Sequence, residues 1–180
     1  ITPAQKDSLN AQIQAEIASL QALLAKIQAN TDPETLKTDI ASIAGSYRTY
    51  GLFLPKIQIM ASADRILTTA DYLTILADKL QTRLTEAQAN GQDVTEFLTL
   101  ITDMKADIES GKNQAQSALA IVTPLAPDGY PENKTQLQEA HELIQLAQKD
   151  LWKARYAVQR IYIQGLLRKN SPAPSVSVTP

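Results

Sequence analysis

The chain has a single histidine, His141, in the run Glu139-Ala140-His141-Glu142, which has the look of a metal-binding segment. A carboxylate-bridged di-iron bundle requires Glu-x-x-His on two helices and two further inward glutamates. Position 138 is Gln and no second histidine exists, so His141 reads as a helix-surface or seam residue. A Ser-His-Asp triad would need the same histidine, and no G-x-S-x-G elbow accompanies it. P-loop, Rossmann and EF-hand fingerprints are absent. With no cysteine the chain has no thiolate nucleophile, thiolate zinc site or disulfide.

The carboxylates repeat in a pattern. Asp64, Asp71 and Asp78 each follow an alanine at seven-residue spacing. That spacing sets them about 10.5 Å apart along a helix, too far for two of them to hold one cation. Asp103 and Asp107 are close enough to share an ion but bring no further oxygen ligands. Both sets read as solvated acidic faces, and neither a metal nor a cofactor is expected. Asn133-Lys134-Thr135 fits the acceptor pattern for N-glycosylation, a pattern that also arises by chance.

Two groups stand out as possible recognition surfaces. One is Tyr47, Tyr50 and Phe53 with Arg48 among them. The other lies between Lys149 and Lys169. Six basic residues there (Lys149, Lys153, Arg155, Arg160, Arg168, Lys169) face one acid, Asp150, a local +5 in a chain of net charge −2. Trp152, Tyr156 and Tyr162 interleave with these charges. Trp152, Tyr156 and Arg160 follow one another at four-residue intervals and are expected along one side of a helix. Exposed, such a strip has the composition of an interface anchor, fit for an acidic peptide or an anionic sugar. The structural reading competes: aromatics fill a wide core, and basic residues suit a helix C-terminus.

The elements that must position these residues are helices. Of 180 residues, 44% are hydrophobic and 20% charged, which suits one domain with a sizeable core. The near-balanced charge argues against nucleic acid or anionic membrane as partner. No apolar run approaches the roughly 20 residues that span a bilayer. Ile13, Leu20 and Ile27 repeat every seven residues in a first helix from about 3 to 30. Thr31-Asp32-Pro33-Glu34 reads as a stop and a capped restart. A second helix carries Leu36, Ile40, Ile43 and Tyr47 and is expected to close at Gly51, with Pro55 opening a third. One continuous helix through Pro55 is the alternative. The third helix repeats Ile59, Ile66, Leu73 and Leu80 beside Ala63, Ala70 and Ala77, and ends at Asn90-Gly91. A fourth, capped by Asp93, carries Val94, Ile101, Ile108, Ala115 and Val122 in register across Gly111. A fifth, from about 131 to 169, repeats Leu137, Ile144, Leu151 and Val158 beside Ala140, Ala147 and Ala154.

A seven-residue repeat in every long segment predicts an all-α fold. The expected architecture is an elongated antiparallel helical bundle with coiled-coil-like heptad packing and about five helices. Residues 1–169 would form a single domain. Residues 170–180, rich in Ser, Pro and Thr, read as a linker or tail. The segment Tyr47-Arg-Thr-Tyr-Gly-Leu-Phe-Leu-Pro55, followed by Ala63-Asp-Arg-Ile66, resembles one found in uncharacterised, predicted-secreted helical proteins of bacteria. The resemblance implies a bacterial envelope or extracellular setting and no known activity. That setting also agrees with the tail and with a chain opening at Ile1 without a start methionine, with the cytoplasm as alternative. The function expected is a non-catalytic structural, spacer or interaction module for another protein or a surface polymer. A carrier holding an apolar ligand between helices is the alternative.

Overall fold

The computed structural model describes the backbone of residues 3–126, 129 and 132–169, with side chains in these ranges except at 5, 44–49 and 165–169. Among the described residues four α-helices follow one another: α1 Pro3–Ala29, α2 Pro33–Ala89, α3 Thr95–Val122 and α4 Lys134–Lys169. No strand occurs among the described residues, so the chain is all-α. Residues 170–180, expected to be a linker, lie outside the described residues.

The main departure from the sequence reading is at Pro55, which sits inside α2 rather than at the start of a new helix. The helices numbered second and third from the sequence are one helix of 57 residues. A proline inside a helix removes one N–H and crowds the carbonyl four residues back. Here that carbonyl belongs to Gly51, which has no Cβ to resist a local adjustment. Burial on both sides of the proline holds the helix through it: Leu52 and Phe53 before it, Ile59 and Met60 after it. Gly51 therefore does not close a helix. The glycine that does is Gly91, at φ +78°. Gly91 N–H donates to Gln88 O and Gln92 N–H to Ala87 O, the pair of bonds that ends a helix on a left-handed residue.

The helices compose two compact units, Ile1–Arg65 with Gln114–Gln145, and Ile66–Asn113 with the chain from Leu146 on. In the second unit, Asp78 pairs with Lys105 at 2.7 Å and Asp71 with Lys112 at 3.0 Å. Numbering falls along α2 as it rises along α3, so these helices are antiparallel. Lys153 with Asp107 and Arg160 with Glu96 set α4 antiparallel to α3 in the same way. On α3, Lys105 and Lys112 flank one side of the Ile101, Met104 and Ile108 stripe, and Glu96 and Asp107 flank the other. Both neighbours therefore share that stripe, and three helices close on one core. Ala70 and Ala77 on α2 and Ala147 and Ala154 on α4 are fully buried, as the alanine rows predict. Gly111 has the same role at closer range. A Cβ there would lie 3.2 Å from Ala147 O and 3.3 Å from the Leu151 side chain.

In the first unit, Lys26 and Asp39 pair at 2.6 Å across the turn between α1 and α2. Asp32 caps α2, accepting from the Thr35 N–H and hydroxyl. Those bonds hold its carboxyl below the ordinary aspartate range. At the far end of this hairpin, Leu9, Leu52 and Phe53 join Ala118, Val122, Leu125 and Leu137 in a second core. Lys56 lies buried there and donates to Thr123 O and Leu125 O, both at 2.9 Å. It thus satisfies carbonyls left open where α3 ends. Burial holds its ammonium below the ordinary lysine range.

Candidate functional site

α4 positions the strip predicted from the sequence. Leu151, Ala154 and Ile161 turn inward, and Trp152 is 66% exposed. Tyr156, one turn on, is also exposed, and the two rings stack with centroids 5.8 Å apart and planes 10° from parallel. Stacking fixes both side chains before any partner arrives, which reduces the ordering a partner must impose.

Arg160 sits differently from the two rings. Each four-residue step overshoots a helical turn by about 40°, so Arg160 lies about 80° round the helix from Trp152. That rotation carries it toward α3, where its guanidinium donates to Glu96 at 3.0 Å. Lys153 is drawn to the same flank by Asp150 at 2.6 Å and Asp107 at 3.6 Å. Its hydrogen bond to Asp150 holds its ammonium above the ordinary lysine range, and the charges of Asp150 and Asp107 add to that effect. Asp150 also accepts from Ser110 at 2.7 Å, joining α3 to α4. Two of the six local positive charges, Lys153 and Arg160, therefore face acids of the same unit. Lys149 and Arg155, both exposed and each one turn from Trp152, are the basic residues that flank the rings. Arg168 and Lys169 belong to the stretch whose side chains lie outside the description.

The other candidates are not assembled into a site. Of the first aromatic group, Phe53 is in the core, Tyr50 is exposed, and the side chains of Tyr47 and Arg48 lie outside the described residues. His141 is exposed and contacts only Gln145, at 3.0 Å, among the bonds resolved for it. No group of three or more His, Asp or Glu residues is gathered for a metal among the described residues. The Asp71 and Asp78 row is not simply a solvated face, since both residues pair across to α3. Asn133 is buried, and its Nδ2 donates to Ala126 O at 2.8 Å. In the folded chain this amide is engaged in holding the start of α4, so the sequon there is not an open glycosylation acceptor.

Some surface residues lacked a sequence signal. Tyr72 and Ile75 on α2 and Ile163 on α4 are exposed apolar side chains of the same unit, as is Tyr162, which the sequence already places among the aromatics of the strip. Tyr72 and Tyr162 lie next to a heptad position, whereas Ile75 and Ile163 fall on the side of their helices away from the core. Comparison with known protein families, with curated proteins and with solved structures finds no match.

Proposed function

We propose that this protein is a non-catalytic helical module that presents the solvent face of α4 to another protein or to a surface polymer. The exposed Trp152–Tyr156 stack carries this reading. A lone tryptophan in a chain so poor in aromatics is expected in the core, yet here it is spent on the surface beside a parallel ring. Two stacked, nearly parallel rings with Lys149 and Arg155 alongside form an apolar platform with a cationic edge. That chemistry suits a partner offering a flat apolar group next to a carboxylate or sulfate, as in an acidic peptide or an anionic polysaccharide. The alanine seams of the same unit bring helix backbones together, which favours a packed module over a ligand carrier. The composition of the tail and the likeness of the Tyr47–Pro55 segment to exported helical proteins support an extracellular or envelope setting. No helix among the described residues is long and apolar enough to cross a membrane.

Trp152 is the only tryptophan, so its emission reports the site directly. Titration with an anionic polysaccharide and with an acidic, aromatic peptide should give a saturable change for one of them. Tyr156→Ala should weaken that binding at least tenfold. Arg160→Ala should change it less than threefold, because that guanidinium is held by Glu96. Absence of a saturable change with either probe, or binding indifferent to Tyr156→Ala, defeats the proposal.

A further inference from the structure

The hairpin of α1 with the start of α2 has an apolar face that no other described element covers. Lys56 reaches the carbonyls of Thr123 and Leu125 just past the end of α3, and Asn133, just before α4, donates to Ala126 O close by. Both helices run from that level toward higher α2 numbers. Among the described residues, therefore, 33–51 of α2 have only α1 beside them, and together with residues 10–29 they form a two-helix arm.

Helical geometry places the arm's residues on two unlike faces. The stripe of α1 that meets α2 contains Leu20, Leu23 and Ile27, all half-buried. Ile17 and Leu24 lie one residue further round the helix, with Ile13 beside them. On α2, Ile40 and Ile43 lie one flank away from Asp39, which points at α1. Because the helices are antiparallel and both are right-handed, these two flanks fall on the same side of the arm. Ile13, Ile17, Leu24, Ile40 and Ile43 thus share one face, and all are exposed. The opposite face carries Gln12, Ser19, Lys26, Thr38 and Ser42, also exposed. An amphipathic layer of this kind is stable only when its apolar side meets another layer.

We propose that a second copy of this chain covers this face, two arms packing to form an antiparallel four-helix bundle. The footprint fits. A face about 30 Å long and about 20 Å wide offers on the order of 600–800 Å² per copy, against about 800 Å² per partner in a standard stable interface. The charge also fits. Residues 10–43 contain Glu16, Asp32, Glu34 and Asp39 against Lys26 and Lys37. Lys26 is paired with Asp39 on the far side from the apolar face, and Lys37 with Glu34 at its outer edge. A patch with no charge at its centre can meet its own copy about a two-fold axis without repulsion. A membrane-lying helix pair would instead need a basic polar face. The Lys26–Asp39 pair fixes the register of the hairpin, so both copies present the same pattern.

The full chain, measured by sedimentation equilibrium at micromolar concentration, should show about twice its mass of 19.7 kDa. Ile17→Glu combined with Ile40→Glu should give a monomer with unchanged far-ultraviolet circular dichroism. Lys37→Glu, on the outer side, should remain a dimer. In the unaltered chain, amide exchange protection of residues 13–27 and 36–43 should rise with protein concentration, a readout that needs no variant to fold. A monomeric unaltered chain, a dimer that survives the double substitution, or arm protection independent of concentration overturns the proposal. So does a monomer that binds anionic phospholipid vesicles through this face.

Discussion

Ile101 of α3 and Ile40 of α2 are the same residue type at apolar positions of their helices. Ile101 is 2% exposed and Ile40 62%. The difference is the number of neighbours. Around Ile101 three helices share one stripe, so apolar side chains on α2, α3 and α4 are enclosed from both flanks. In the arm two helices cover only the stripe between them, and residues one position further round, such as Ile17, Leu24 and Ile40, face outward. A heptad repeat therefore specifies which faces seek apolar company, and it leaves open how many helices supply it.

Truncation tests this contrast most strongly. Ile101→Ala should cost about 3 kcal/mol in chemical denaturation, the sum of lost burial and a cavity that three packed helices cannot close. Ile40→Ala, measured at dilution where copies are separate, should stay within about 0.5 kcal/mol. Similar costs at the two sites would mean that the arm is covered after all.

Lys56 marks where the arm joins the four helix segments of its unit. Lys56→Met should cost about 2 kcal/mol, because Thr123 O and Leu125 O would be left without donors. The pH dependence has a definite sign. Burial lowers the folded-state pKa below the unfolded value near 10.5, so below that folded pKa the group carries a penalty for its buried charge. The penalty is relieved as pH rises toward about 10.5, and the neutral amine still has two N–H groups for its two carbonyls. The stability of the parent chain relative to Lys56→Met should therefore increase across that alkaline window. A difference that falls with pH would show that the lysine is stabilised as a cation.

Gly111→Ala examines the tight side of the comparison. The added methyl gains about 1 kcal/mol of helix propensity but must push against Ala147 O at 3.2 Å. A net loss of about 1 kcal/mol in thermal denaturation is expected, since backbone gives way less readily than a side-chain tip. The smallest effect is expected at Trp152→Ala, within about 0.5 kcal/mol, because the ring is mostly in solvent. Emission of Trp152 should be water-like and readily quenched by acrylamide. Blue-shifted emission that resists quenching would put the ring in a covered site and remove the basis for the α4 platform.

The seven-residue rows made the all-α class, the alanine seams and the inward faces of α3 and α4 legible in the sequence. Val94, Ile101, Ile108, Ala115 and Val122 are all buried as their spacing predicts, straight through Gly111. The helix ends at Ala29 and Ala89 were legible too, because Asp32 and Gly91 are local devices that act within a few residues. Pro55 was misread because local rules make Gly51 followed by a proline a stop. Burial of Leu52, Phe53, Ile59 and Met60 overrides that preference, and burial is a long-range fact.

The α4 strip shows the same division. Its composition and four-residue spacing were readable, but the partners of its charges were not. Arg160 is tied to Glu96, 64 positions away, and Lys153 to Asp107. Likewise the Asn133 sequon matches a surface pattern, and only the bond to Ala126 O shows that its amide is engaged. Periodicity, capping and turn chemistry depend on residues within one or two helical turns, so one chain's sequence carries them in full. Exposure and ion pairing depend on which helices arrive from elsewhere, and that is why Ile40 and Ile101 read alike in the sequence and differ in the fold.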